Sequence, residues 1–244
     1  DYYASRGLGD VYKRQVMNTA SLLSTNGAGN PVLIANGVAH PADTFAIVGK
    51  PGANFSVKDL KGKKVAGPRG TVLHQLLIAA LIKEGMSVDD VEFLSMDQPA
   101  ALSAMLSGNV DASLQAASGV IKAQEAGCKV ISTAKGLVNV NLVMTVREAF
   151  ATKYPQAVEE VVKVQRETLK WINEHRREAI ALGAKEHGIT FKDAQQLADW
   201  SNYYDVLSAE DIQGLREDQE FLIENKLMQK NVDVEKLVLP IAKH

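Results

Sequence analysis

The segment Gly67-Pro68-Arg69-Gly70-Thr71 has the composition of a tight connection from a short apolar strand into a helix, and it offers the chain's best chemistry. At such a junction the unpaired helix N–H groups and the positive end of the helix dipole face outward. The amides of Gly70, Thr71 and Val72 suit an oxygen of a carboxylate, sulfonate or phosphate, with the Thr71 hydroxyl as a further donor. The same residues have a plainer use, in which Thr71 caps its own helix and Gly70 permits the turn; the two uses are compatible. His74 lies one turn further on, placed either to donate to an anion or to pack. Arg69 can pair with an anionic head group or stand in solvent. The segment lacks the Gly-Lys-Ser/Thr ending of a P-loop.

Other chemistries find no residues to carry them. His40, His74, His175, His187 and His244 show no paired metal spacing, and no Gly-x-Ser-x-Gly, Walker or dinucleotide pattern occurs. No catalytic residue, metal or cofactor is therefore expected. The single cysteine, Cys128, excludes an intramolecular disulfide and any multi-cysteine metal site, and in Ala126-Gly127-Cys128-Lys129-Val130 it reads as a small buried thiol. Lys and Arg total 27 against 29 for Asp and Glu, which leaves no electrostatic footprint for nucleic acid or an anionic membrane. With 46% hydrophobic residues in 244, the chain can bury a sizeable core, as one large domain or two smaller ones. No apolar run approaches the roughly 20 residues that span a bilayer.

The elements that must position these residues follow an alternating α/β pattern. Asp1–Gln15 lacks an initiator Met and a regular apolar period, resembles a translated adapter run, and is set aside as a non-native leader. Asn18–Leu23 reads as a helix start; Pro31–Ala35 and Thr44–Val48 read as strands. A βαβαβ unit follows: strand Lys64–Gly67, a helix over 71–84 with Leu73, Leu76, Leu77, Ala80 and Leu81 on one stripe, strand Val91–Met96, helix Pro99–Leu106, strand Val110–Gln115 and helix Ser118–Ala126. Right-handed crossovers make its three strands parallel. After strands at Val130–Thr133 and Asn141–Thr145 the chain turns helical: one long helix from Pro155 to Gly183, a second opened by Thr190 and Asp193, and a third opened by Ser208 and Asp211 as a capping box.

The run Asp59-Leu60-Lys61-Gly62-Lys63-Lys64-Val65-Ala66, then Gly70-Thr71, His74 and Leu76-Leu77, resembles the ABC-importer solute-binding proteins for aliphatic sulfonates, taurine, nitrate and thiamine precursors. The resemblance continues through Gly108-Asn109-Val110-Asp111-Ala112 and Arg147-Glu148-Ala149-Phe150 with Tyr154-Pro155, covering about residues 16–180. It implies an α/β, type II periplasmic binding protein fold of two lobes joined by crossing strands. Lobe one would be 16–52 and 133–244, lacking its first βαβ portion; lobe two would be 53–132. The crossings would lie near Lys50–Phe55 and Ile131–Ala134. By this resemblance the ligand site draws on Arg69, Gly70, Thr71, Val72 and His74, on Asn18 and Thr19 at a lobe-one helix entrance (an N-cap pair on the plainer reading), and on Gln115 and Ala116 at a strand end facing the cleft.

Sulfonate and taurine binders commonly place a Trp, an acid and a Pro where Ala116, Ala117 and Ser118 stand, so a roomier pocket is expected. Trp200, Tyr203 and Tyr204 are read as core. The implied function is capture of a small anionic organic solute and its delivery to a membrane permease, by a monomer that binds no nucleic acid and works in the periplasm or as a cell-surface lipoprotein. Two alternatives stay open: a pyrimidine thiamine-precursor binder or related enzyme, and the ligand-sensing domain of a regulator.

Overall fold

The structure, a computed structural model, describes residues 14–244. The chain forms two compact units. Unit 1 holds the described residues up to His40, then Asn141–Leu182 and Asn202–His244; unit 2 holds Pro41–Val140 and Gly183–Ser201. The chain thus changes unit at 40/41, 140/141, 182/183 and 201/202 rather than near 50–55 and 131–134. The leader expected at 1–15 lies outside the described residues as far as 13. Its last two residues fall within a strand, because Arg14 and Gln15 pair with Val146 and Thr145.

In unit 2, β3 (Phe45–Gly49), β4 (Lys64–Gly67), β5 (Glu92–Ser95), β6 (Ala112–Ala116) and β7 (Lys129–Thr133) form one sheet in the order β5-β4-β6-β3-β7. The expected parallel core is there: β4 pairs parallel with both β5 and β6. β3 and β7 extend it antiparallel, and since β3 pairs with both β6 and β7 it belongs to this unit and not, as expected, to the other. Strand side chains alternate between faces. Ile47, Val65, Ala112 and Leu114 meet Leu73, Leu76, Leu77 and Leu81 of α2 (Val72–Lys83). Ala46, Val48 and Ala66 meet Ala101 and Met105 of α3 (Gln98–Leu106) and Val120 and Ala123 of α4 (Ser118–Glu125). Because the three strands are parallel, α2, α3 and α4 all begin at the same end of the sheet.

In unit 1, β1 (Arg14–Asn18), β8 (Leu142–Arg147) and β2 (Val32–Ala39) form an antiparallel sheet with β8 central. Ile34 and Val143 face α1 (Thr19–Gly27), α9 (Ala209–Glu224) and α10 (Val234–Leu237). Ala35, Met144 and Val146 face α5 (Glu148–Lys153) and α6 (Pro155–Glu174). The single helix expected from Pro155 to Gly183 is broken at His175, whose backbone leaves helical geometry (φ −122°, ψ 40°) and whose ring stacks on Trp171, with α7 (Arg176–His187) resuming beyond. α8 (Phe191–Ser201) lies in unit 2. The Ser208–Asp211 capping box forms: Asp211 N donates to Ser208 Oγ, and Ser208 N to Asp211 Oδ2.

Candidate functional site

The start of α2 gathers most of the residues chosen from the sequence. Gly70 occupies the left-handed region at φ +72°, which only glycine adopts cheaply, and turns the chain from β4 into the helix. Thr71 stands at the N-cap in an extended conformation, but its side chain does not cap. Its hydroxyl donates backwards to the Pro68 carbonyl at 3.0 Å. The amides of Val72, Leu73 and His74 have no acceptor among the described residues, and a capping Thr71 would have satisfied only one of them. They are the orphan donors that every helix start must satisfy somehow.

The His74 side chain adds a further unsatisfied donor. It is 1% exposed, stacked on Phe93 with ring centroids 4.5 Å apart. Its Nδ1 accepts a long hydrogen bond, 3.4 Å, from the Gly70 amide, which puts the proton of the neutral ring on Nε2. Nε2 is buried and has no partner. Burial, and secondarily the charge of Arg69, push the imidazole from 6.5 down to about 4, so the ring is neutral at physiological pH. Arg69 itself is exposed, with its guanidinium carbon 5.0 Å from the centroid of the same Phe93 ring. A helix start with three free amides, a neutral N–H donor one turn in, and a cation on an aromatic platform together suit an anionic oxygen.

The remaining choices are differently occupied. Gln115 is 1% exposed, and its Nε2 donates to the Gln98 carbonyl at 3.0 Å and to Ser113 Oγ at 3.3 Å. The Ala116 amide donates to Gln98 Oε1 at 2.8 Å. Both residues fasten β6 to the first turn of α3. In unit 1, Asn18 caps α1 by accepting from the Ser21 amide at 2.8 Å. Thr19 gives its amide to the Asn141 carbonyl at 3.1 Å and its hydroxyl to Asp218 Oδ2 at 2.8 Å. Asn18 thus makes the cap of the plainer reading, whereas Thr19 caps nothing and is tied to Asn141 and Asp218 instead. Trp200 and Tyr204 are half-buried and Tyr203 is 43% exposed, so that cluster is core only in part.

Three residues escaped the sequence reading. Phe93, the platform, follows the alternation of an ordinary strand and carries no motif. Gln98 was passed over for Pro99. Ala117 holds φ 50°, ψ −122°, a region costly for any side chain, between β6 and α4. Gly119 two residues on is the only trace: a Cβ there would lie 2.5 Å from Gln115 Oε1.

The two α/β units and their strand orders define a type II periplasmic binding protein fold. The alkanesulfonate-binding protein SsuA from Xanthomonas axonopodis pv. citri, solved with MOPS bound, superposes with a TM-score of 0.86 at 20% identity, covering 98% of this chain and 83% of that one. Residues 16–179 match the NMT1/THI5-like family, and the chain belongs to it. Among curated relatives, the taurine-binding periplasmic protein of Escherichia coli is 27% identical over 148 residues, covering 55% of this chain and 46% of that one. A putative binding protein of Brucella abortus is 47% identical over 57 residues, 23% of this chain and 18% of that one. The matches thus span less than half of these relatives. The desulfurization enzyme DszB shares the fold at a TM-score of 0.75 and 17% identity, over 93% of this chain and 82% of that one.

Proposed function

We propose that this chain is the solute-binding component of an ABC importer, working in the periplasm or as a cell-surface lipoprotein. It captures a small anionic organic solute of the sulfonate, taurine or nitrate kind and presents it to a permease. The protein acts as a monomer and transforms nothing. The observation that carries the reading is the start of α2, where unused amides and the His74 Nε2–H supply donors for an anion. What relatives are named for supports the same solute class. The likeness to DszB is one of fold.

The test is a thermal-shift screen of sulfonates, nitrate, carboxylates and pyrimidines, followed by calorimetry on each hit. Val72→Pro is the informative variant. Proline is accepted at the first helical position and deletes one amide, and Thr71 is already in the extended conformation that a following proline requires (φ −115°, ψ 172°). Losing one hydrogen bond to a charged group should weaken binding by about 10- to 100-fold. Affinity unchanged in Val72→Pro, with the helix intact by circular dichroism, refutes the site.

A further inference from the structure

The second inference rests on the two-lobe reading and concerns unit 1 alone. Three of the four places where the chain enters or leaves that unit are His40, Asn141 and Asn202. They are tied together. The His40 amide donates to the Asn202 carbonyl at 3.1 Å, and Asn202 Nδ2 donates back to the His40 carbonyl at 3.3 Å. Tyr204 N donates to Val38 O, and Gly37 N to Asp205 O, both at 3.1 Å, so residues 202–205 run as a short strip beside the end of β2.

Side chains then close a ring. His40 Nε2 donates to Asp211 Oδ1 at 2.7 Å, and Asn141 Nδ2 donates to the same oxygen at 3.2 Å. The Tyr204 hydroxyl donates to Asn141 Oδ1, and the Tyr204 ring lies flat on the His40 ring, centroids 4.0 Å apart and 15° from parallel. Asp211 is anchored in the first turn of α9, where its other oxygen accepts from the amide and hydroxyl of Ser208. One carboxylate, 12% exposed, thus holds two of the crossing points directly, and Tyr204 brings in the third. Even the backbone makes room: a Cβ on Gly37 would intrude into the Tyr204 ring. Interlocked groups like these fix a geometry more than they add stability, because Asp211 has given up most of its water for its partners while the His40 side chain keeps part of its own.

We propose that the His40–Asp211–Asn141–Tyr204 ring is a hinge clasp: it fixes the directions in which three of the connecting segments leave unit 1, and so restricts the inter-lobe motion of the unliganded protein. These are positioning residues and touch no solute.

The experiment places spin labels at Lys170→Cys in unit 1 and Lys83→Cys in unit 2, in a Cys128→Ala background, and measures the distance distribution by electron–electron resonance without ligand. Tyr204→Phe keeps the ring stack and removes the hydroxyl; His40→Phe keeps the stack and removes the bond to Asp211. Either variant should raise the minor distance population about five-fold, the effect of one part-buried hydrogen bond. An unchanged distribution, with or without a lower melting temperature, makes the ring a structural feature only and overturns the proposal. Failure of both variants to fold also overturns it, since a positioning role spares the core. No ligand enters the measurement, so a barren solute screen beside a responsive distribution would sink the importer reading and leave the clasp standing.

Discussion

His74 gives the chain a pH dependence whose size follows from its burial. At pH 7.5 the imidazole is neutral in both folded and unfolded chains, and the residue contributes nothing that varies with pH. Below 6.5 the unfolded chain takes up a proton that the folded one refuses until about 4. The unfolded state then binds more protons, so stability falls as pH falls. With those two values the loss between pH 7.5 and pH 5 is about 2 kcal/mol, approaching about 3 kcal/mol at pH 4. Carboxylates held below their usual range, such as Asp111 beside Lys50, lose their contribution at lower pH still, and comparison with a variant that lacks the imidazole isolates its share. The assay is urea unfolding at pH 7.5 and 5.0. Of the two tryptophans, Trp171 lies in unit 1 and Trp200 in unit 2, so Trp171→Phe leaves a fluorescence signal from the unit that contains His74. His74→Gln, which cannot titrate, should flatten the pH dependence by about 2 kcal/mol. Equal losses in parent and variant would refute the account.

Ala117→Gly should raise stability by about 1 kcal/mol, because relief at φ 50°, ψ −122° exceeds the entropy glycine adds to the unfolded chain; a lower denaturation midpoint would contradict it. Gly37→Ala should lose about 1–3 kcal/mol by driving a methyl into the Tyr204 ring, read as a drop in melting temperature. Leu77→Ala, at a fully buried site between α2 and the sheet, should lose about 2–5 kcal/mol in urea unfolding of unit 2.

The βαβαβ core of unit 2 could be read from the chain because its signals are local. Leu73, Leu76, Leu77, Ala80 and Leu81 repeat at helical spacing and are all buried, and the strand at Lys64–Gly67 ends where its glycines said it would. What could not be read is pairing at a distance. Nothing in Phe45–Gly49 announces that it pairs with β6 and β7 rather than with the strands of unit 1, because a buried apolar strand fits either sheet equally well. The boundaries between the units moved for that reason. β1 was missed because only Val16 and Met17 are apolar in it, and its pairing is supplied entirely by β8.

The candidate site shows the same limit at the scale of single hydrogen bonds. Asn18, Asp97, Ser208 and Thr71 are equivalent as text, each a good N-cap before a helical run. Asn18, Asp97 and Ser208 do cap, accepting from Ser21, Ala100 and Asp211. Thr71 differs because Gly70 turns the chain so that the Pro68 carbonyl meets its hydroxyl, and the helix start is left open. No propensity distinguishes these cases, since the deciding partner is a backbone oxygen whose position depends on a glycine dihedral. Thr71 is not alone in this, since Ala117, Arg147, Tyr154 and Asp233 also precede helices without a side-chain cap, and what sets α2 apart is the buried, unpartnered Nε2 of His74 in its first turn. A bound anion can accept from several amides at once where a capping hydroxyl accepts from one, and the site proposed at the start of α2 rests on that difference together with the buried, unpartnered His74 Nε2.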